Sequence, residues 1–260
     1  MCIRDSNPSF NTITFVTSTS RSEYHGGTFQ LRRNFKNGYT VQGAYTFGRA
    51  MNDTDQAVGS TATQDAANLR GEWALASYDA PQKLALIGLW EMPFFKSRAG
   101  LTRKLLGGWQ LAGSAILQSG TPLNITNGAT YPTGDFNADG AGGDRPNTPT
   151  GSIQTGGWTN QQYLTGIFLA SDFPRPVAGQ NGTLVRNAFR GPGYADVSLS
   201  LSKKFEVTPK VSAEVRIDAF NALNRVNLSD PTTDLSSTNF GKSTTQLNPR
   251  AFQTGLRLRF

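Results

Sequence analysis

The last nine residues, FQTGLRLRF, alternate without a break. Phe252, Thr254, Leu256, Leu258 and Phe260 point to one side, and Gln253, Gly255, Arg257 and Arg259 to the other. Side chains of a strand alternate between two faces, so this segment has one apolar face and one face carrying two arginines. Such a strand suits a barrel wall standing between lipid and water. The segment therefore proposes a bacterial outer membrane as the location.

The same two-sided pattern recurs upstream. Phe29, Leu31 and Phe35 alternate with Thr28, Gln30, Arg32 and Asn34, and Lys36, Asn37 and Gly38 then turn the chain. Asn-Gly between alternating segments is a strong tight-hairpin signal. On the return, Tyr39, Val41, Gly43, Tyr45 and Phe47 restore the apolar row. A third strand, Lys83 to Met92, is ambiguous, because Ala85, Ile87 and Leu89 make its second face apolar as well. A fourth sets Trp109, Leu111, Gly113, Ala115 and Leu117 against Gln110, Ala112, Ser114 and Gln118. Two more, carrying Val197, Leu199 and Leu201 and then Val211 to Ala219, flank a turn at 206 to 210. In the second of these, Glu214, Arg216 and Asp218 form a charged row opposite an aliphatic one.

The connections carry as much information as the strands. They run short at 36 to 38, long at 51 to 80, shorter at 94 to 106, long at 120 to 190, short at 206 to 210 and long at 221 to 247. Outer-membrane barrels have short periplasmic turns and long outer loops. The expected fold is thus all-β: part of an antiparallel transmembrane β-barrel of about seven strands, with Phe260 on the periplasmic side. A short helix is expected around Ala66 to Ala76. Aromatics supply a check: Phe35, Tyr39, Trp90, Phe94, Trp109, Phe205 and Phe260 fall beside short turns or the C-terminus. Tyr45, Phe47, Tyr194 and Phe252 fall near the long loops, so the two sets read as the two interfacial girdles of a barrel.

Composition is compatible with this reading. Hydrophobic residues make up 37% of the chain, and mean hydropathy is -0.39. The apolar stretch Leu84 to Trp90 falls far short of the ~20 residues a spanning helix needs. A membrane barrel keeps mean hydropathy low because only alternate residues meet lipid. The formal charge of +7 is scattered along strands instead of gathered in a block, so no nucleic-acid partner is expected. Cys2 is the only cysteine, so no internal disulfide can form. Residues 1 to 20 contain no secretory leader pattern and are expected to be a truncated start, either non-native or the remnant of an outer loop.

Several stretches together resemble a known family. They are GGTFQLRRNFKNGYTVQGAYTFGRAMND, LLGGWQLAGSAILQSGTPL, DFNADGAGGDRPN, RNAFRGPGYADVSLSLSKKF, EVRIDAFNALNRVN and NPRAFQTGLRLRF. Over residues 21 to 260 the chain is similar to the C-terminal barrel of TonB-dependent outer-membrane receptors, in particular the Oar-like group with a carboxypeptidase-regulatory-like domain. The resemblance implies energised uptake or surface binding of a solute, with TonB acting through a plug that lies upstream of these residues. It also implies a sorting signal for the β-barrel assembly machinery in Gln253, Gly255, Leu258 and Phe260. A last strand with a free edge is one that a strand-templating machine can pair.

Other chemistry is sparse. Asp135, Asn137 and Asp139 alternate before Gly140, as at the start of an EF-hand-style calcium loop. Ala141 and Pro146 then fall where a carbonyl and a bidentate Glu belong, leaving Asp144 as a substitute ligand. The segment reads either as a calcium site or as an Asx-rich turn. Arg32, Glu214, Arg216, Asp218, Arg257 and Arg259 are expected to face the lumen. His25 is the single histidine, with no cysteine or carboxylate cluster to make a zinc site. No nucleophile elbow, phosphate loop or HExxH motif occurs, so no enzymatic role is expected. Two alternatives stay open: a secreted or surface β-sandwich that binds a partner, and a passive porin-type barrel.

Overall fold

A computed structural model describes residues 18–55, 63–65, 68–128, 134–138 and 143–260. Seven long strands form its frame: β1 (Ser22–Lys36), β2 (Tyr39–Asn52), β3 (Gln82–Glu91), β4 (Trp109–Gln118), β5 (Tyr194–Glu206), β6 (Ser212–Phe220) and β7 (Ala251–Arg259). Each pairs antiparallel with the next in a simple meander. Among the described residues β1 and β7 do not pair, so the sheet is an unclosed part of a barrel. In such a meander alternate connections lie at the same end. The tight turn at 37–38, the 92–108 connection and the 207–211 turn therefore share one end, and the segments 53–81, 119–193 and 221–250 share the other.

The first hairpin closes as its sequence predicts. Asn37 and Gly38 have φ of 56° and 82°, the left-handed pair that a two-residue hairpin turn requires. The 92–108 connection carries a seven-residue helix, α1 (Gly100–Leu106). In the expected helical region, residues 66–67 lie outside the described residues. The rest forms a 3-10 turn, Leu69–Glu72, followed by Ala74–Leu75 pairing with the end of β2. Residues 1–17 likewise lie outside the described residues.

Register settles which side chains share a face, because directly opposed residues of antiparallel strands project the same way. Phe29 faces Tyr45, Tyr45 faces Leu84, and Leu84 faces Leu117. The row continues through Ala195. Farther along the same face, Val197, Val215 and Leu256 join it. The ambiguous third strand is thereby oriented: Leu84, Leu86 and Trp90 belong to the apolar face, with Ala85, Ile87 and Leu89 opposite. Leu86 lies over Gly43, where an added Cβ would come within 2.8 Å of it.

Among the described residues nothing covers this apolar face. Phe29 is 69% and Leu256 68% exposed, and the other sheets among the described residues are two two-residue ladders. A sandwich would bury one face of its sheet against another sheet, so the sandwich alternative is overturned. The buried hydrophobic cluster lies instead in the long segments: Leu123, Ile125, Phe168, Phe173, Leu184, Phe189 and Phe240. Phe168 is at its centre, with ring centroids 4.7 Å from Phe189, 5.4 Å from Phe173 and 5.4 Å from Trp158.

Candidate functional site

The three long segments fold together into a cap over their end of the wall. Helix α2 (Asn160–Thr165) starts with a reciprocal cap in which the Thr159 hydroxyl accepts from the Gln162 N–H. Its Tyr163 hydroxyl donates to the Arg190 carbonyl at 3.0 Å. Burial, then the negative charge of Asp230, push the Tyr163 phenol up to about 12. The ladder Pro122–Leu123 with Phe189–Arg190 holds both ends of the longest segment together.

Three arginines of the 119–193 segment enter the 53–81 segment, and each meets a carboxylate there. Arg145 grips Glu72 with both terminal nitrogens, at 2.8 and 3.0 Å, and donates through Nε to the Leu184 carbonyl at 2.9 Å. Arg186 donates to Asp55 at 2.5 Å, to the backbone and side-chain oxygens of Asn52 at 2.6 Å each, and through Nε to the Glu72 carbonyl at 3.1 Å. Arg190 pairs with Asp79 and donates to the Gly120 carbonyl at 3.2 Å. Asp79 in turn accepts the Ala50 N–H at 2.6 Å, which ties the set to the end of β2.

Arg145, Glu72 and Arg186 are buried, with residue exposures of 6%, 3% and 7%. Buried ions hold a shape only when their remaining hydrogen-bonding capacity is filled, and the carbonyls of Asn52, Glu72 and Leu184 fill it here. Burial alone would raise Asp55. The Ser77 N–H, the Asn52 side chain and Arg186 outweigh it and hold the carboxyl below its ordinary value.

A polar cavity of about 290 Å³ adjoins this network. Asp53, Asp55, Glu72, Arg145, Arg186 and Asp230 bring charge of both signs to its wall, and Asn124, Asn187 and Thr233 add neutral hydrogen-bonding groups. Asn187 is held with φ of 57° and donates to the Leu75 carbonyl at 2.6 Å.

Asp135, Asn137 and Asp144 lie within the 119–193 segment of the cap, where Asp144 bonds the backbone at 136 and 137, while Asp139 falls outside the described residues. Asp144 Oδ2 accepts the N–H groups of Phe136 and Asn137 at 2.7 and 3.1 Å, bonds that reach back eight and seven residues along the chain. Asn137 Nδ2 donates to Asn181 at 2.8 Å. Among the described residues no group of three or more His, Cys, Asp or Glu is placed to hold a metal ion.

Arg32, Glu214, Arg216, Asp218, Arg257 and Arg259 all belong to the face opposite the apolar one. Glu214 sits directly between Lys204 and Arg257, Arg216 between Ser202 and Gly255, and Arg32 opposite Gln42. Arg216 Nε donates to Asp218 at 2.7 Å. Gln253 and Gly255 share that polar face, Leu258 lies on the apolar one, and Phe260 ends the chain 92% exposed. The arginine and carboxylate set of the cap was not foreseen from the sequence. Its signal is present in DRPN at 144–147 and RNAFRG at 186–191, where arginines punctuate a segment rich in Gly, Asn, Thr and Pro.

An unclosed antiparallel wall with one bare apolar face, short turns at one end and structured long loops at the other defines an integral outer-membrane β-barrel. In agreement, the family model for an outer membrane beta barrel domain matches residues 3–253. The chain belongs to that family and is a protein of the outer membrane. No curated protein matches, and no solved structure matches.

Proposed function

We propose that the chain is the wall and outer-loop portion of a TonB-dependent receptor of the Oar-like kind, which takes up a scarce solute or binds it at the surface. The observation that carries the reading is the cap. Its long segments are packed around an aromatic cluster and pinned by three arginine–carboxylate pairs, as a receptor surface has to be if it is to present fixed donors and acceptors to a ligand. The solute meets the 53–81, 119–193 and 221–250 segments first, and the mixed charge of the cavity suits a polar molecule with both donor and acceptor groups.

The bare apolar face meets lipid, and the row containing Arg32, Glu214, Arg216, Asp218, Arg257 and Arg259 lines the lumen. The barrel assembly machinery reads Gln253, Gly255, Leu258 and Phe260. TonB acts on a plug encoded upstream. No nucleic acid and no catalysis enter this reading.

The test is to read the gene upstream of Asn7 and to cross-link the full-length protein to TonB in living cells. A plug domain and a TonB cross-link are expected. A frame without a plug, giving a steady conductance in planar bilayers and no cross-link, would make the protein a passive porin-type barrel.

A further inference from the structure

At the short-turn end, the 92–108 connection, MPFFKSRAGLTRKLLGG, contains four cations and no acidic residue. Lys96 is satisfied by Glu91 at 3.3 Å. Among the described residues no carboxylate lies within ion-pair distance of Arg98, Arg103 or Lys104. The connection is also apolar where it is most exposed: Leu101 is 75%, Leu105 57% and Phe94 54% accessible, and α1 buries none of its side chains. Leu101 and Leu105, four residues apart, share one side of the helix. A short basic and apolar segment with no protein partner has the chemistry of a membrane interface.

The connection is held in a fixed place. Lys203, 3% exposed and on the apolar face of β5, donates through Nζ to the Gly107 carbonyl. Its ammonium lies 5.0 Å from the Phe205 ring centroid and 5.7 Å from that of Trp109. Trp90 and Phe94 meet edge to face at 5.7 Å beside it.

On the apolar face near this rim is a trough of about 350 Å³. Gly88 and Gly113 are direct cross-strand partners and form its floor, while Tyr39, Val41, Trp90 and Leu199 form its sides. Gly88 is four residues from Met92, about 13 Å at the rise of a strand, a depth that lies within one leaflet of a hydrocarbon core ~30 Å thick.

We infer that this rim binds an anionic glycerophospholipid of the inner leaflet, with an acyl chain in the Gly88–Gly113 trough and the phosphate on Arg98, Arg103 and Lys104. The inference rests on the reading that the apolar face meets lipid. Charge selects the headgroup, since three cations stand without carboxylates where inner-leaflet phosphates lie. The two glycines select for a chain, because any larger residue at 88 or 113 fills the trough.

Native mass spectrometry of the detergent-purified full-length protein tests it, after incubation with an equimolar mixture of dioleoyl phosphatidylglycerol and dioleoyl phosphatidylcholine. The wild type is expected to retain phosphatidylglycerol several-fold better. The combined R98Q, R103Q and K104Q variant is expected to lose that preference. Gly88→Leu is expected to retain less of both lipids; its Cβ has room, with the nearest atom 3.6 Å away. Heat-modifiable gel migration verifies folding, and the exposed triple variant decides alone if Gly88→Leu does not fold. Equal retention of the two lipids by the wild type, or a preference that survives the triple substitution, overturns the inference. Quenching of Trp90 and Trp109 by brominated acyl chains separates the two levels. Quenching without headgroup preference leaves the lipid-facing wall standing and removes only this site, and absence of quenching removes both.

Discussion

Arg186 and Asp55 stand 131 positions apart in the chain and 2.5 Å apart in space. Their contact joins the longest outer segment to the segment that follows β2, and it sits beside two others of the same kind. Each arginine also donates to backbone carbonyls, of Leu184 for Arg145, of Asn52 and Glu72 for Arg186 and of Gly120 for Arg190, so each contact ties main chain as well as side chain.

Breaking one buried pair leaves its partner charged and unpaired, at a cost of about 3–5 kcal/mol. Glu72→Gln is therefore expected to loosen the cap while the wall persists. Limited proteolysis of the full-length protein should show new cleavage within 119–193, with heat-modifiable migration unchanged.

The cap is expected to weaken at both pH extremes. Asp55 titrates below its ordinary value of 3.8 when folded, so its stabilisation is present above that value and is lost as pH falls through the lower, folded one. Asp234 shifts in the same direction: burial opposes, but the N–H groups of Ser236 and Gly128 prevail. Tyr163 is raised from 10.0 to about 12, so the folded cap holds its proton more tightly and stability falls as pH rises through that window. Hydrogen exchange of 119–193 against pH should show both limbs, and Asp55→Asn should blunt the acid one.

The two faces of the wall should respond oppositely to charge. Leu256 and Val215 are direct partners midway along β7 and β6. An arginine at Leu256 is expected to cost about 2–4 kcal/mol for refolding into lipid vesicles. Arg257→Gln, one residue away on the polar face, is expected to change that free energy little. Equal effects would refute the assignment of faces.

Deleting Phe260 removes the exposed aromatic that follows β7 without touching a buried contact. Assembly in cells is expected to drop several-fold, seen as protein accumulating in the periplasm, while refolding of purified protein in detergent stays near normal. A matching loss in both assays would make Phe260 a stability residue instead of a sorting one.

The carboxylate of Asp144 already accepts two backbone N–H groups. Calcium up to millimolar concentration, and its removal by chelator, are therefore expected to leave the unfolding of the cap unchanged. A calcium-dependent shift that Asp135→Asn abolishes would support the EF-hand-style reading of Asp135, Asn137, Asp139 and Asp144.

The wall was legible in the sequence because its rule is local. Phe29, Leu31, Tyr45 and Phe47 repeat with period two, and Asn37-Gly38 fixes the register of the first hairpin from within the turn. Strand β3 was not legible alone, since Leu84 and Ile87 are both large and apolar. Only its pairing with Tyr39 and Tyr45 decides which face meets which neighbour. The cap was hidden for a related reason. Arg145, Arg186 and Arg190 find Glu72, Asp55 and Asp79 across 73 to 131 residues, and no periodicity records such contacts. What the chain did display was four arginines in the 119–193 segment and five carboxylates in the 53–81 segment, three of each forming the pairs.

That division of charge bears on how new binding specificities can be engineered. A chimera that transplants the 119–193 segment alone would carry Arg145, Arg186 and Arg190 into a host lacking their matching acids. Grafts on this scaffold should therefore succeed when the 53–81 segment travels with it, so that the two are inherited as one module.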